Sequence, residues 1–206
     1  PGQRVAFVSQ GGDPAWVLRW TVVDAQGNQV LNRWISDWGQ QVFTLPYAGT
    51  NRIVVYSNDG EATGTYGFQV WPAAVEQFPI AFGQTVTNGV PGAGAGNIET
   101  PGAQDVYTFT AQAGQVVYLE GVEASPSNGN LRWELFGPAG ASVNSAWLAG
   151  DMGRQRLNES GVYRIVVQGD NQATGTYSFK LWSVNDASYP IAMGDTVTNG
   201  VPGAGA

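Results

Sequence analysis

The chain of 206 residues has no cysteine and no histidine, and Lys180 is its only lysine. Without cysteine there is no disulfide-stapled scaffold. Without either residue, the triads, thiol nucleophiles and zinc sites built on them are excluded. Charged residues make up only 12% of the chain, about half the usual share, so Ser, Thr, Asn, Gln and Gly must carry solubility. The formal net charge of −7 offers no basic stripe to displace counterions from nucleic acid, and none to meet an anionic membrane surface. There is no run of about 18 apolar residues to cross a membrane. No Gly-x-Ser-x-Gly elbow, phosphate-binding loop or dinucleotide fingerprint appears. The expectations are no catalysis, no nucleic-acid partner and no membrane insertion.

What the chain does have is repetition. Residues 78–95 read FPIAFGQTVTNGVPGAGA and residues 189–206 read YPIAMGDTVTNGVPGAGA, an offset of 111. EATGTYGFQVW at 61–71 returns as QATGTYSFKLW at 172–182 with the same spacing. Earlier blocks, such as Leu18-Arg-Trp and Leu131-Arg-Trp, follow with small slips that loops would absorb. A period of about 111 residues fits one small domain rather than a solenoid turn. The division expected is a sandwich repeat lacking its first strand over 1–75, a complete repeat over 76–187, and the opening segment of a third over 188–206.

Stretches rich in Val, Tyr, Phe, Trp and Thr alternate with Gly, Pro, Asn and Asp clusters, so the fold class is all-β, with tandem β-sandwich repeats. Strands are expected near 84–88, 104–110, 115–122, 130–136, 141–148, 154–157, 162–168 and 174–182. In Asp105–Thr110, Val106, Thr108 and Thr110 alternate with Tyr107 and Phe109, as a half-buried strand requires. The small, uncharged run Val90–Gly96 reads as a linker or extended crossover rather than core.

Aromatics that recur between copies are simplest as core: Trp20 with Trp133, Trp34 with Trp147, Trp71 with Trp182, Tyr66 with Tyr177, Phe68 with Phe179. Trp16 and Trp38 have no aromatic counterpart and are the candidates for exposed, partner-facing rings. Arg19, Arg132, Arg52 and Arg164 read as structural, each over an aromatic ring or against a carboxylate. Asp37, Asp151, Asp59 and Asp170 recur in turns, where Asx-turn chemistry explains them. No cofactor is expected. Calcium is the one the loops leave open, yet it needs six to eight oxygens and no local Asp-x-Asp-x-Asp run gathers them.

The order Asp105-Val-Tyr-Thr-Phe-Thr-Ala-Gln-Ala-Gly-Gln, Leu131-Arg-Trp-Glu-Leu-Phe-Gly-Pro-Ala-Gly, Ser160-Gly-Val-Tyr-Arg-Ile-Val-Val and Thr174-Gly-Thr-Tyr-Ser-Phe resembles the bacterial pre-peptidase C-terminal domain. That resemblance implies a jelly-roll-like β-sandwich, found on secreted hydrolases and in tandem on large surface proteins, with a non-catalytic accessory role. Its collagen-binding relatives place calcium ligands before the first strand, where this chain has Glu99 and Asp105.

The function expected from these features is structural: a tandem-repeat segment of a long extracellular or cell-surface bacterial fibre, stalk or adhesin. The alternative is a carbohydrate- or matrix-binding accessory module of a secreted enzyme. The expected partners are neighbouring copies of the same repeat, in the same or another chain, with a polysaccharide or matrix ligand for the alternative. Inter-repeat contact is expected at Thr85, Val86, Thr87 and Val90, and at Thr196, Val197, Thr198 and Val201, as extended segments laid on an adjacent sandwich.

Overall fold

The structure, a computed structural model, describes residues 1–14, 16–37, 40–126 and 130–199. Among them there is no helix, and so none long and apolar enough to cross a membrane. The first six strands are β1 (Gln3–Asp13), β2 (Leu18–Val23), β3 (Gln29–Trp34), β4 (Gln40–Leu45), β5 (Arg52–Ser57) and β6 (Thr65–Pro72). They make two three-stranded sheets, β4-β1-β6 and β3-β2-β5. The sheets meet at Phe7 of β1, whose ring stacks on Trp20 of β2 at 3.5 Å between centroids and on Phe68 of β6 at 4.8 Å. Leu18, Val22 and Ile35 complete the buried cluster.

The remaining strands are β7 (Val75–Pro79), β8 (Thr85–Val86), β9 (Asn97–Ile98), β10 (Gln104–Ala111), β11 (Val116–Ser125), β12 (Leu131–Phe136), β13 (Ser142–Trp147), β14 (Gly153–Arg156), β15 (Gly161–Gly169) and β16 (Gly175–Val184). One sheet runs β13-β12-β15-β10-β7; the other runs β14-β11-β16-β8, with β9 also on β16. All named pairs are antiparallel except β10 with β7. Alternation explains the burial: in β12, Leu131, Trp133 and Leu135 point inward, and in β15, Tyr163, Ile165 and Val167 do.

The two halves pair their strands in the same register. Trp20 faces Val55 and Val22 faces Ile53 across β2 and β5, as Trp133 faces Val167 and Leu135 faces Ile165 across β12 and β15. The first half has no counterpart of β10 among the described residues, so β5 pairs on one side only.

The joint between the halves is tight. Gly102, buried at a φ of +82°, lies where an added Cβ would come within 2.9 Å of Val42 and 3.1 Å of Ala6. Around it, Arg4 donates to the Gln104 side chain (3.1 Å) and Thr100 to the Pro72 carbonyl (2.6 Å).

Three sequence expectations are corrected here. Val90–Gly96 is not a free linker: Ala95 is fully buried, and the Gly96 amide donates to the Tyr107 hydroxyl (2.9 Å). Its small residues serve close packing, since a Cβ on Gly96 would collide with the Thr87 backbone at 2.3 Å. The second correction concerns Trp147 and Trp182, which are exposed, with Trp34 and Trp71 half-buried. Three of the four lie under cations: Arg19 over Trp34 (4.5 Å), Arg132 over Trp147 (5.6 Å) and Lys180 over Trp182 (3.6 Å). Third, Tyr66 is 52% exposed while its counterpart Tyr177 is 2% exposed. Tyr177 donates to Asp105 of β10, and Tyr66 has no such strand over it.

Candidate functional site

A concavity of about 730 Å³ lies on the first half. Its walls are Ser9–Asp13, Trp16, Ser36, Asp37 and Thr65–Gly67, with Gln172 of the second half at one side. The site begins with a β-bulge in β1, where the pairing with β6 slips between Ser9 and Gly12. Gly11 takes a φ of +92° there, and a Cβ on Gly12 would press on Ile35 at 2.7 Å and on the Thr65 carbonyl at 3.1 Å. The Gly-Gly pair is therefore what lets the strand bend so close to its neighbours.

Hydrogen bonds tie the bulge to the turn after β3. The Ser9 hydroxyl donates to the Ile35 carbonyl and accepts from the Gly11 amide (3.1 Å). The Trp16 amide donates to the Ser36 hydroxyl (2.9 Å), and Asp37 accepts from the Trp34 amide (3.3 Å). Trp16 itself sits at a φ of 64°, an uncommon conformation for a side chain of this size. Its ring meets Trp34 edge-on at 6.3 Å and is otherwise open, 54% exposed. Tyr66 stacks on Phe68 (6.2 Å, 8° between planes) and faces the same space. The result is a trough of mixed polar and apolar lining with one tryptophan and one tyrosine on its rim, suited to hydrogen bonding and ring contact.

A second polar cluster lies inside the second half. Asp105 is buried, accepting from Tyr177 and from Tyr107 (3.2 Å), while the two tyrosine hydroxyls are 2.8 Å apart. Burial, the largest influence, lifts the Asp105 carboxyl to about 6. Hydrogen bonds from Tyr177 and Tyr107 pull it back, and the charges of Glu99 and Glu76 push it further up. Tyr107 and Tyr177 are both raised, again chiefly by burial. This cluster is sealed by the sheets and offers nothing a ligand can reach. Among the described residues no three acids stand close enough together to hold a metal.

The sequence-derived contact residues are not brought together. Thr85 and Val86 form β8, paired to Lys180 and Phe179 of the same sandwich, with Val86 fully buried. Thr87 and Val90 exchange backbone hydrogen bonds (3.1 and 2.8 Å) across a tight turn. The pairing of β8 with β16 uses the edge that was expected to reach a neighbour. Thr196, Val197 and Thr198 are exposed, while Val201 and Trp38 lie outside the described residues. Trp16 is exposed at the trough, whereas the Ser9–Asp13 bulge and Tyr66 escaped sequence reasoning. The signal for the bulge was present in Gly11-Gly12-Asp13.

No protein-family model matches the chain, and no curated protein matches it. Among solved structures it is similar to PliG of Aeromonas hydrophila, a periplasmic inhibitor of g-type lysozyme, at 18% identity and a TM-score of 0.42. That match spans 53% of this chain and 96% of the other. PliG of Salmonella Typhimurium, with the same description, is 18% identical with a TM-score of 0.34, over 52% of this chain and 98% of the other. A mutant of the Escherichia coli inhibitor is 20% identical, also at 0.34, over 52% and 99%. At these identities the likeness concerns the fold alone.

These neighbours correct two expectations. They are periplasmic inhibitors, not segments of a fibre, stalk or adhesin and not enzyme accessory modules. What they bind is a lysozyme, which is neither a further copy of a repeat nor a polysaccharide or matrix ligand. The structural-fibre reading and its carbohydrate-binding alternative are withdrawn, as are the partners that went with them.

Proposed function

We propose that this chain is a non-catalytic recognition module that acts outside the cytoplasm of a bacterium and holds a protein partner in the trough of its first half. One observation carries the reading: exposed Trp16 and Tyr66 stand on the rim of a cavity of about 730 Å³ whose walls are locked by hydrogen bonds. Tryptophan and tyrosine are the residue types in which binding energy concentrates at protein interfaces. A non-glycine residue in the left-handed region costs on the order of 1–3 kcal/mol, and such strain gathers at binding sites. Trp16 carries it while leaving half its ring in solvent. Asp13 and Asp37 line the trough, and the net charge of −7 favours encounter with a basic surface. The resemblance to the pre-peptidase C-terminal domain, with its accessory role, belongs to the same non-catalytic reading.

The test is binding of the intact chain to a panel of purified bacterial exported proteins, a g-type lysozyme among them, followed by interferometry. A partner should bind with a Kd of roughly micromolar or tighter. The double variant Trp16→Ala/Tyr66→Ala should weaken it at least about 100-fold, and Trp147→Ala, on the far outer face, should leave it unchanged. No partner in the panel, or equal binding by the double variant, overturns the reading.

A further inference from the structure

The second half carries a notch of about 240 Å³ on the outer face of its β13-β12-β15-β10-β7 sheet, sharing no residue with the trough. Arg132, Glu134 and Phe136 of β12 and Arg164, Val166 and Gln168 of β15 line it, each alternating with a buried residue. Both guanidiniums lie over rings, Arg132 on Trp147 and Arg164 on Phe136, at 5.6 Å each. Stacking fixes the plane of each and leaves its N–H groups free to donate. Among the described residues neither arginine has an ion pair or a hydrogen bond, in a chain where acids outnumber bases by 16 to 9. Gln104, held by Arg4 (3.1 Å), donates to the Gln168 oxygen (2.5 Å), so the Gln168 amide nitrogen beside Arg132 is a further free donor. The first half builds the same place differently. Arg19 stands for Arg132, but its Nε donates to Asn32 (2.8 Å), which donates in turn to Tyr56, the counterpart of Gln168 (2.7 Å). Thr21 replaces Glu134 and gives its hydroxyl to the Leu31 carbonyl (2.8 Å), and Val23 replaces Phe136 beneath Arg52. One copy answers its arginine internally; the other leaves two arginines open on a concave face.

We propose that this notch docks an extended segment of a protein partner with acid, base and acid at alternate positions, the pattern Asp/Glu-x-Lys/Arg-x-Asp/Glu. Its size argues for side chains rather than a free metabolite, since pockets that enclose small molecules run from about 300 to 1,000 Å³. Its spacing sets the pattern. Arg164 lies opposite Phe136, four residues beyond Arg132 on β12, which is about 13 Å along the strand. An extended chain lying over β12 puts its first and fifth residues on one face at that same distance. The two acids then accept from Arg132 with Gln168 and from Arg164, in the charge-assisted geometry that a guanidinium fork favours. Glu134, midway between them, takes the basic side chain. A segment of the opposite charge order meets a like charge at all three places, so the notch selects as well as binds.

The test uses the full chain and two end-capped peptides, Gly-Glu-Thr-Lys-Thr-Glu-Gly and its charge-swapped form Gly-Lys-Thr-Glu-Thr-Lys-Gly, followed by fluorescence anisotropy at low ionic strength. The first should bind with a Kd below about 1 mM. It should bind at least about tenfold more tightly than the second, although the net charge of −7 attracts the second. Arg132→Gln/Arg164→Gln should weaken the first peptide at least about tenfold. Arg33→Gln/Arg52→Gln removes as much charge from the first half and should leave binding unchanged, as should Trp16→Ala at the trough. The triple variant Arg132→Glu/Glu134→Arg/Arg164→Glu should reverse the preference between the peptides. The proposal is overturned if the first peptide does not bind, if the two peptides bind equally, or if the first-half pair weakens binding as much as the notch pair. A triple variant that melts like the wild type yet keeps the original preference also overturns it. So does adipate, two carboxylates without a base, binding as tightly as the peptide, which would mark a small-ligand site instead.

Discussion

Tyr66 and Tyr177 occupy matching places and have opposite fates, because Tyr177 lies under β10, which supplies Asp105 and Tyr107 as its partners. Asp105 gives Tyr177 a buried acceptor, and the cost is an acid held out of water. Because its carboxyl lies near 6 in the fold and near 3.8 when exposed, the folded chain binds more protons between those values. Stability from this group is therefore greatest at low pH and falls as pH rises from about 4 to 6, by roughly 2 kcal/mol. Asp59, held down to about 2 by the Ser57 hydroxyl and the Ala62 and Glu61 amides, acts in the opposite direction but only below pH 4. Denaturant midpoints between pH 4 and 7 should thus decline for the wild type and stay nearly level for Asp105→Asn, whose carbonyl still accepts from Tyr177. A wild-type curve rising over that window contradicts the assignment. The buried tryptophans were legible from the sequence: Trp20 and Trp133 recur and both are enclosed. Trp133→Ala should cost about 3–5 kcal/mol by the usual cost of emptying an aromatic site, read in the same titration. The outward tryptophans were not legible, because recurrence is the same for a ring under an arginine as for a ring in a core.

At the level of elements, the strands of the second half were readable almost to the residue, because alternation and turn residues agree there. The expected strand at 104–110 is found at Gln104–Ala111, and that at 174–182 at Gly175–Val184. β7 was missed since Val75–Pro79 carries no alternation and ends in proline; it pairs in parallel along the edge of β10, a place where a missing amide does little harm. The trough was the least readable element, because a bulge is a property of pairing rather than of composition. Its dependence on Gly12 can be measured. Gly12→Ala places a methyl within 2.7 Å of Ile35 and should destabilise the first half by roughly 1–3 kcal/mol, the usual penalty of overpacking. Thermal melts should show the loss in the earlier part of the transition, and partner binding at the trough should weaken alongside it.

For the whole molecule, the halves are unequal in what they bury. Three-stranded sheets leave Ile53, Val55 and Phe43 partly open, whereas the five-stranded sheets of the second half enclose their inward residues. Amides of Leu18–Val23 should accordingly exchange through lower-energy openings than those of Leu131–Phe136, and equal protection in both strands would show that the open edge costs nothing. The seat of Gly102 against Ala6 and Val42 has a different kind of consequence, in how the molecule turns in solution. With no side chain on Gly102 itself, the backbone there packs directly on Ala6 and Val42, so backbone relaxation should return a single rotational correlation time for the entire particle. Gly102→Val, wedging that seat apart, should split it into two faster ones, each half tumbling as though the other were merely trailing behind.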